Sequence, residues 1–482
     1  MKKISEKNYK NIIIKILFII SCIMFAVPSI TYYIQNKTVF KFEQWFKFLL
    51  NDSGRIEQTM IYIIVLTAMA ILYAILIKER DKLFKNSKKM FIFIVIVAII
   101  FVAVIPFTCS DVFYYLGIGR INSEYHQNPY YTTIKGFVEQ GENSKFLEQD
   151  KVLAQGYIND WSDSTVVYGP ICTLICRIIA SMSFGSIDIG LLVFKLINVI
   201  VHLINCYLIY KISNKKIFTL LYGLNPFILI EGIACVHNDM FVILFTLASF
   251  YFLLKKKNLV VSIVFLALAT AIKYFTILLL PFIVIYYVRQ DKPIKRLKKC
   301  IMYGVLFVFI LAIFYLLYIQ DINVFSGLFI QQQKLAKSFY IIITEYFTSP
   351  VGLVETTNKT LLGIFAIIYI TSCVILLNKK EIKFRKEIQK ANYFIMAFLF
   401  LLITNFQPWY IMWLFPCLIW QKSEDIRLTI QISLISQFAN SIFLMYGEGW
   451  RNGTPFTFFM VLGTLIVVLY NTRIQKRVKG QK

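Results

Sequence analysis

Long apolar runs alternate with short polar segments along almost the whole chain, and this alternation predicts membrane-crossing helices. Runs 12–34, 57–77 and 90–107 approach or reach the roughly 20 residues that an α-helix needs to cross a bilayer. Later runs that fit single spans are 188–210, 217–235, 237–254, 299–319, 360–378, 426–446 and 455–471. We therefore expect an all-α polytopic membrane protein, a single integral membrane domain over residues 1–482 with about 12–14 transmembrane helices.

Three apolar segments do not fit a simple span. The stretches 259–288 and 393–421 are interrupted at "AIKYFT" and "NFQPWY", which predicts two short helices in each, with a break between them. The segment 168–184 is short and carries Arg177. We expect it to be a re-entrant or interfacial helix, because a full span would place the following basic loop "KISNKK" outside; a span remains the alternative.

Basic residues concentrate in short loops between the apolar runs, as in "KERDKLFKNSKK" and "NKKEIKFRKEIQK". This is the positive-inside pattern, so the net charge of +25 reports topology and does not indicate nucleic-acid binding. It predicts that loops 108–165 and 320–359 are extracytoplasmic, that 379–390 is cytoplasmic, and that both termini lie on the cytoplasmic side of the cytoplasmic membrane. The first run could be a signal peptide, but it lacks a small-x-small cleavage site, so we interpret it as a retained anchor.

Composition also limits the chemistry. The nine cysteines are scattered, mostly inside apolar runs and without CxxC spacing, which favours small buried side chains over disulfides or zinc ligands. With only three histidines, the sequence predicts no metal site, and no phosphate-binding loop or heme motif indicates a cofactor.

Unusual polar groups gather at segments that this topology places on the outer face. Asp111 or Ser110 could be no more than an N-cap for "VFYYLGIGR", and Asn238 or Asp239 could cap the helix after "HND". Lys273 lies in an apolar stretch, where it could extend to the interface or await an anion such as a lipid phosphate. The segment "FQPWY" is either an interfacial aromatic belt or a sugar-binding surface.

Five of these segments, in order over about 100–420, carry a family resemblance. "SDVFYYLGIGRINSEYHQNPY" resembles the first external loop of GT-C superfamily glycosyltransferases, and "YGP" resembles the motif that opens the next helix. "NPFILIEGIACVHNDMF", "LALATAIKYFTILLLPF" and "FQPWY" resemble the later motifs. The set looks most like bacterial polyprenol-phosphate-mannose-dependent mannosyltransferases.

The resemblance implies a GT-C-like fold, a catalytic first loop over 108–165, and inverting transfer of a hexose from a polyprenyl phosphate. It implies that Asp111 is the general base and that metal is not obligatory; Lys273 and Arg120 would bind the donor phosphate. The matching positions that would contact substrate are Asn128, Tyr130, Tyr168, His237, Asn238, Asp239, Gln407, Trp409 and Tyr410. Departures are Ser110 for the first of two aspartates, a tyrosine at 114 or 115 for arginine, and Gly117-Ile118 for Trp-Asp.

We therefore expect a membrane glycosyltransferase that moves a hexose, mannose first among them, to an extracytoplasmic glycan or glycolipid. Its partners would be the lipid-linked donor, that acceptor and the bilayer, with no nucleic acid. Another hexose or a pentose is the alternative within the class. A polyprenyl-linked oligosaccharide flippase or polymerase is the alternative outside it, although a flippase should carry charges along several spans, and here most charges lie in loops.

Overall fold

The structure is a computed structural model that describes residues 6–39, 42–49, 54–335, 338, 340, 351–446, 459–460, 462–464 and 466. Helices account for the regular structure of these residues, and no β-strand occurs among them, which confirms the predicted all-α class. Contacts divide the chain into two compact units. The first unit comprises Met1–Ser164, Leu174–Met240 and Asn440–Gly447, and the second comprises Thr165–Thr173, Phe241–Ala439 and Glu448–Lys482. The prediction of one membrane domain stays a prediction.

The first unit is built on long helices with several short ones inserted after the third of them. Its α-helices are Glu6–Asn36, Phe42–Leu49, Arg55–Lys78, Arg80–Leu83, Ser87–Val102, Asp111–Ser123, Ile134–Val138, Phe146–Gln149, Lys151–Tyr157, Ile187–Ser213 and Lys216–Gly223, with a 3₁₀ turn at Asn143–Lys145 and a π-helical segment at Ile228–Ala234. The helix Pro170–Ser181 begins in the second unit and continues into the first.

The second unit contains shorter helices and more 3₁₀ structure. Its α-helices are Leu259–Thr270, Leu280–Tyr287, Pro293–Tyr315, Ser326–Gln333, Val351–Asn378 and Phe384–Ala397, with most of Asp239–Leu254 and Ser423–Tyr446. The 3₁₀ segments are Tyr274–Leu279, Ile322–Phe325 and Pro408–Trp420, and a π-helical segment covers Phe398–Leu402.

Within the described residues, six helices are long and apolar enough to cross a membrane, and a bent pair makes a seventh if it is one span. The six are Tyr9–Asn36, Arg55–Lys78, Ile187–Ser213, Pro293–Tyr315, Val354–Asn378 and Ser423–Tyr446. Several further apolar helices have only 10–17 residues. The protein is therefore an integral membrane protein; the total of 12–14 spans, the orientation of the termini and the choice of membrane stay predictions.

The structure confirms both interruptions that the sequence predicts. In the stretch 259–288, a helix ends at Thr270, and 3₁₀ structure resumes at Tyr274 after an extended Lys273. In the stretch 393–421, helical structure ends at Leu402 and resumes at Pro408. The segment 168–184 forms the short helix Pro170–Ser181, and its relation to the bilayer stays a prediction.

The run 217–235, which the sequence predicts to be one span, is bent, and that it is a single span stays a prediction. The helix Lys216–Gly223 stops before Asn225-Pro226, and the π-helical segment that follows is bent from it by 59°. Proline lacks the N–H that would extend the first helix, and it disfavours the α conformation at the residue before it. The Asn225 side chain accepts the Phe227 N–H at 2.9 Å and caps the new start. Most of the predicted span 455–471 and part of the loop 320–359 lie outside the described residues.

Candidate active site

Asp111 begins the helix Asp111–Ser123, hereafter the loop helix, which is the first element of the predicted outer loop. Ser110 occupies the N-cap position, and neither it nor Asp111 makes a side-chain cap, so the capping interpretation of Asp111 was wrong. Asp111 lies instead in the first turn, where the helix dipole favours a negative charge. Its carboxylate is 8% exposed, and it accepts the Tyr115 hydroxyl at 3.4 Å.

Close backbone approaches bury the loop helix on nearly all sides. A Cβ at Gly119 would lie 2.2 Å from the Cys176 carbonyl oxygen, so only glycine allows this approach. Gly117 faces Gly156 in the same way, and a Cβ at Gly156 would lie 2.9 Å from the Gly117 Cα. The Asn159 amide donates to the Ser110 carbonyl at 2.9 Å. These contacts fix the position of the helix start and therefore of Asp111.

Asp111 belongs to a cluster with Cys109 and His237. One ligand-capable atom from each of the three lies within 4.8 Å of the other two. The Cys109 Sγ is 3.4 Å from the His237 Nε2, and the same nitrogen is 3.2 Å from the Glu231 Oε2. Thr108 donates its hydroxyl to this Glu231 oxygen at 2.8 Å. The structure thus brings the aspartate of the loop motif and the histidine of the "HND" motif together.

Arg120 lies nine residues beyond Asp111 on the loop helix, which is about 13 Å along its axis at 1.5 Å per residue. Its Nε contacts the Asp150 Oδ2 at 2.5 Å, and its Nη1 contacts the Glu124 Oε2 at 3.3 Å. Asp150 also accepts the Leu153 N–H and the Tyr125 hydroxyl. Burial and the Asp150 charge raise the pKa of Tyr125, so it remains a donor. This arrangement favours a role for Arg120 in organising the loop; its predicted phosphate contact stays a prediction.

The remaining predicted residues of the first unit lie in local structure, and all but Asn128 are buried. Asn128 accepts the backbone N–H of Tyr130 at 3.2 Å and forms a turn, and the Tyr130 ring is fully buried. Asn238 and Asp239 are buried where the helix Asp239–Leu254 begins. Substrate contact by these residues stays a prediction.

The second unit holds Lys273 in an aromatic cage. Lys273 is 7% exposed, and its Nζ lies 4.6 Å from the ring centroid of Tyr410, 5.5 Å from that of Trp413 and 5.9 Å from that of Tyr168. Such contacts between an ammonium and ring faces stabilise a charge that has lost water. The cage therefore keeps a cation within an apolar environment, as a phosphate-binding group would require.

Backbone and ring contacts hold this cage in place. The Gly169 N–H donates to the Ile272 carbonyl at 3.2 Å, and a Cβ at Gly169 would lie 2.3 Å from the Ala271 carbonyl oxygen. The Trp413 ring stacks on Phe275 with centroids 3.9 Å apart and on Tyr410 at 4.6 Å. These contacts join three segments around Lys273: "YGP", "AIKYF" and the helix Pro408–Trp420.

Two other residues that were predicted to contact substrate, Gln407 and Trp409, come shortly before the cage residue Tyr410 in the sequence. Gln407 donates to the Asn405 side chain at 2.8 Å, and Trp409 is buried with its ring 6.2 Å from that of Tyr410. Their predicted contact with sugar stays a prediction.

A cavity of about 280 Å³ lies within the first unit. Apolar side chains from three successive helices and from the segment before Thr108 form most of its wall, among them Phe25, Trp45, Phe48, Tyr62 and Phe107, and Leu444 of the helix Ser423–Tyr446 also lines it. Phe107 also packs on Tyr62 with ring centroids 5.9 Å apart, and it directly precedes Thr108, which contacts Glu231. One residue of the cavity wall is therefore next in sequence to a residue that contacts Glu231, and most of the wall is apolar.

Sequence reasoning missed Cys109, Glu231 and Trp413. The sequence contains a feature that could have revealed Glu231, because an acidic residue inside the apolar run "NPFILIEGIAC" requires a polar partner. Trp413 lies on the helical stretch just after "FQPWY". Cys109 had no signal beyond its position two residues before Asp111, since its partner His237 is 128 residues away.

A model of a known protein family matches more than half of the chain. Residues 18–289 match the model described as alpha-(1->6)-mannopyranosyltransferase, N-terminal domain, of the MptA_B family. Searches of curated proteins and of solved structures returned no match. The matched region contains the loop helix, the His237 cluster and Lys273. The chain therefore belongs to the MptA_B family of mannosyltransferases, and it is a glycosyltransferase of the membrane.

Proposed function

We propose that the protein transfers a mannosyl residue from a polyprenyl-phosphate donor to a hydroxyl of an extracytoplasmic glycan or glycolipid, by the inverting mechanism and fold of the GT-C class. The observation that carries the proposal is the environment of Asp111. This carboxylate is nearly buried, is not used as a helix cap, and lies beside His237 in a chain of the mannosyltransferase family.

The chemistry assigns each group a simple task. The acceptor oxygen attacks the anomeric carbon while the bond from that carbon to the phosphate oxygen breaks. Asp111 accepts the proton of the acceptor hydroxyl, as a positioned general base does. Polyprenyl phosphate leaves with the electron pair of the broken bond as an anion and needs no proton. Attack on the face opposite the phosphate inverts the anomeric configuration.

Lys273 is the cation that we assign to the donor phosphate. Ring contacts with Tyr410 and Trp413 fix its position, and an ammonium held in an apolar environment suits an anionic ligand. Arg120 is less suited, because Asp150 and Glu124 already balance its charge.

The apolar cavity supports a donor with a hydrocarbon tail. Its wall of aromatic and aliphatic side chains would take part of an isoprenoid chain, and its volume of about 280 Å³ excludes most of a long one. Val65→Phe would narrow this cavity. It should weaken binding of a long-chain donor more than that of a donor carrying a single isoprene unit.

A flippase or polymerase is the competing class. Two buried cations in the described helices have backbone partners: the Lys195 ammonium donates to the Val102 and Val104 carbonyls, and Arg296 donates to four carbonyls that include those of Leu377 and Lys379. These residues act as structural links, which does not suit a charged path through the membrane.

The test is a reconstituted transfer assay with a panel of radiolabelled polyprenyl-phosphate sugars and a nucleotide sugar as control. We expect mannose transfer from the lipid-linked donor alone. Asp111→Asn should fold and lose turnover by about 10²–10⁴-fold, the usual contribution of a positioned base. Ser110→Ala is the matched control and should be mild, since Ser110 makes no cap bond. Near wild-type transfer by Asp111→Asn would remove Asp111 from the mechanism and direct attention to Asp239.

A further inference from the structure

The Asp111 cluster also contains a thiol, which general base catalysis does not need. Cys109, Asp111 and His237 each offer one ligand atom within 4.8 Å of the others, and all three are nearly or fully buried. Glu231 adds a second carboxylate beside His237. Sulfur, nitrogen and carboxylate oxygen from one small volume are the donor set that Zn²⁺ prefers.

The spacing of these atoms can be compared with a tetrahedral zinc site. With Zn–S of about 2.3 Å and Zn–N and Zn–O of about 2.0–2.1 Å, tetrahedral angles give about 3.5 Å between sulfur and nitrogen and about 3.3 Å between nitrogen and oxygen. The Cys109 Sγ lies 3.4 Å from the His237 Nε2, and the Glu231 Oε2 lies 3.2 Å from it. The sulfur–nitrogen spacing of the cluster thus matches that of a tetrahedral zinc site, and Glu231 lies beside His237 but outside the group of three whose ligand atoms are all within 4.8 Å of one another.

A second feature is the support behind the ligands. Thr108 donates a hydrogen bond to Glu231 at 2.8 Å, and Tyr115 donates one to Asp111 at 3.4 Å. Groups that orient a ligand in this way commonly strengthen metal binding. Another cysteine and histidine in the same unit, Cys206 and His202, are 3.9 Å apart. Within the described residues this second pair forms no ligand group of three.

We infer that Cys109, Asp111 and His237, with Glu231 beside them, form a binding site for a soft divalent cation such as Zn²⁺, and that this cation inhibits transfer. Part of the inference rests on the proposed role of Asp111. A carboxylate that donates its electron pair to a metal ion cannot use it to accept the proton of the acceptor hydroxyl. The bound ion would also lie where that hydroxyl must approach.

Binding is tested first, without reference to activity. Purified, chelator-treated protein is titrated with Co²⁺, whose absorption reports thiolate ligation. We expect a thiolate band that saturates at one equivalent per chain, that Cys109→Ser abolishes, and that His237→Gln weakens. Cys206→Ser is the matched control and should keep the band, because Cys206 also lies beside a histidine but outside the cluster. Absence of the band in the wild type, or its survival in Cys109→Ser, would overturn the site.

Inhibition is tested second, with each variant compared with its own metal-free rate. Zn²⁺ should slow transfer by the wild type, and chelator should restore it. Cys109→Ser should raise the half-inhibitory Zn²⁺ concentration at least about tenfold, the lower range for weakening a metal site. Loss of transfer on chelation, or equal inhibition of both proteins, would overturn the inhibitory role. Failure to find any sugar transfer would overturn the proposed function but would leave the Co²⁺ result standing.

Discussion

Replacement of Lys273 by methionine separates a phosphate-binding role from a structural one. Methionine has a similar length and no charge, and it can pack against the Tyr410 and Trp413 rings that now face the ammonium. The substitution removes the stabilising contacts between the ammonium and the rings, but it also removes the free-energy cost of holding a charge at a site that is only 7% exposed. These two effects on stability oppose each other. We therefore expect Lys273→Met to fold, with a melting temperature close to that of the wild type.

We expect Lys273→Met to lower the affinity for the donor. A hydrogen bond to a charged group contributes about 1.5–3 kcal/mol, which corresponds to about 10- to 150-fold in affinity. The assay compares binding of polyprenyl phosphate with that of the matching polyprenol, which lacks the phosphate. Lys273→Met should weaken binding of the phosphate by that factor and leave binding of the alcohol unchanged.

Lys195→Met is the matched control, because Lys195 is also buried in an apolar helix but donates to the Val102 and Val104 carbonyls. It should lower the melting temperature, since those carbonyls lose their partner, and leave the affinity of the folded protein for polyprenyl phosphate unchanged. Equal affinity of wild type and Lys273→Met for polyprenyl phosphate would refute the reasoning. So would an equal loss of affinity for the phosphate and for the alcohol.

Three further predictions follow from particular contacts. Gly119→Ala places a Cβ 2.2 Å from the Cys176 carbonyl oxygen and should destabilise the protein by at least about 1–3 kcal/mol in a thermal or denaturant melt, whereas Gly304→Ala, with nothing within 4 Å, should not. Trp413→Ala removes the ring stacked on Phe275 and Tyr410 and should lower both the melting temperature and the affinity for polyprenyl phosphate; normal affinity would show that Lys273 does not need its cage. In a Cys-free background, Glu142→Cys should react with an impermeant thiol reagent in intact cells and Glu381→Cys should not, because the basic loop 379–390 is predicted to be cytoplasmic; the reverse labelling would invert the topology.

Local features of the sequence predicted the all-α class and both interruptions correctly. Apolar runs of about 20 residues have few alternatives to a helix, and "AIKYFT" and "NFQPWY" place a lysine or a proline where an apolar helix would otherwise continue. The bend before Pro226 had the same kind of signal, a proline inside an apolar run, but only a span over 217–235 was predicted there and no interruption.

Non-local pairing accounts for what the sequence did not reveal. The partner of Arg120 is Asp150, 30 residues away, and nothing in the loop motif indicated that the guanidinium would be balanced there. The capping interpretation of Asp111 differed from the structure by one residue, because the position of a helix start depends on packing such as that of Gly119 against Cys176. The contact between Cys109 and His237 required the fold itself.

The departure from the family pattern at Ser110 has a chemical consequence. With serine in place of the first aspartate, Asp111 is the only carboxylate in the first turn of the loop helix. A carboxylate bound to a divalent metal ion is a much weaker base, because the ion withdraws electron density from its oxygens. Zinc occupancy and sugar transfer should therefore exclude each other in this protein, and Zn²⁺ should compete with the acceptor. A rate that rises with added Zn²⁺ would instead require a base other than Asp111.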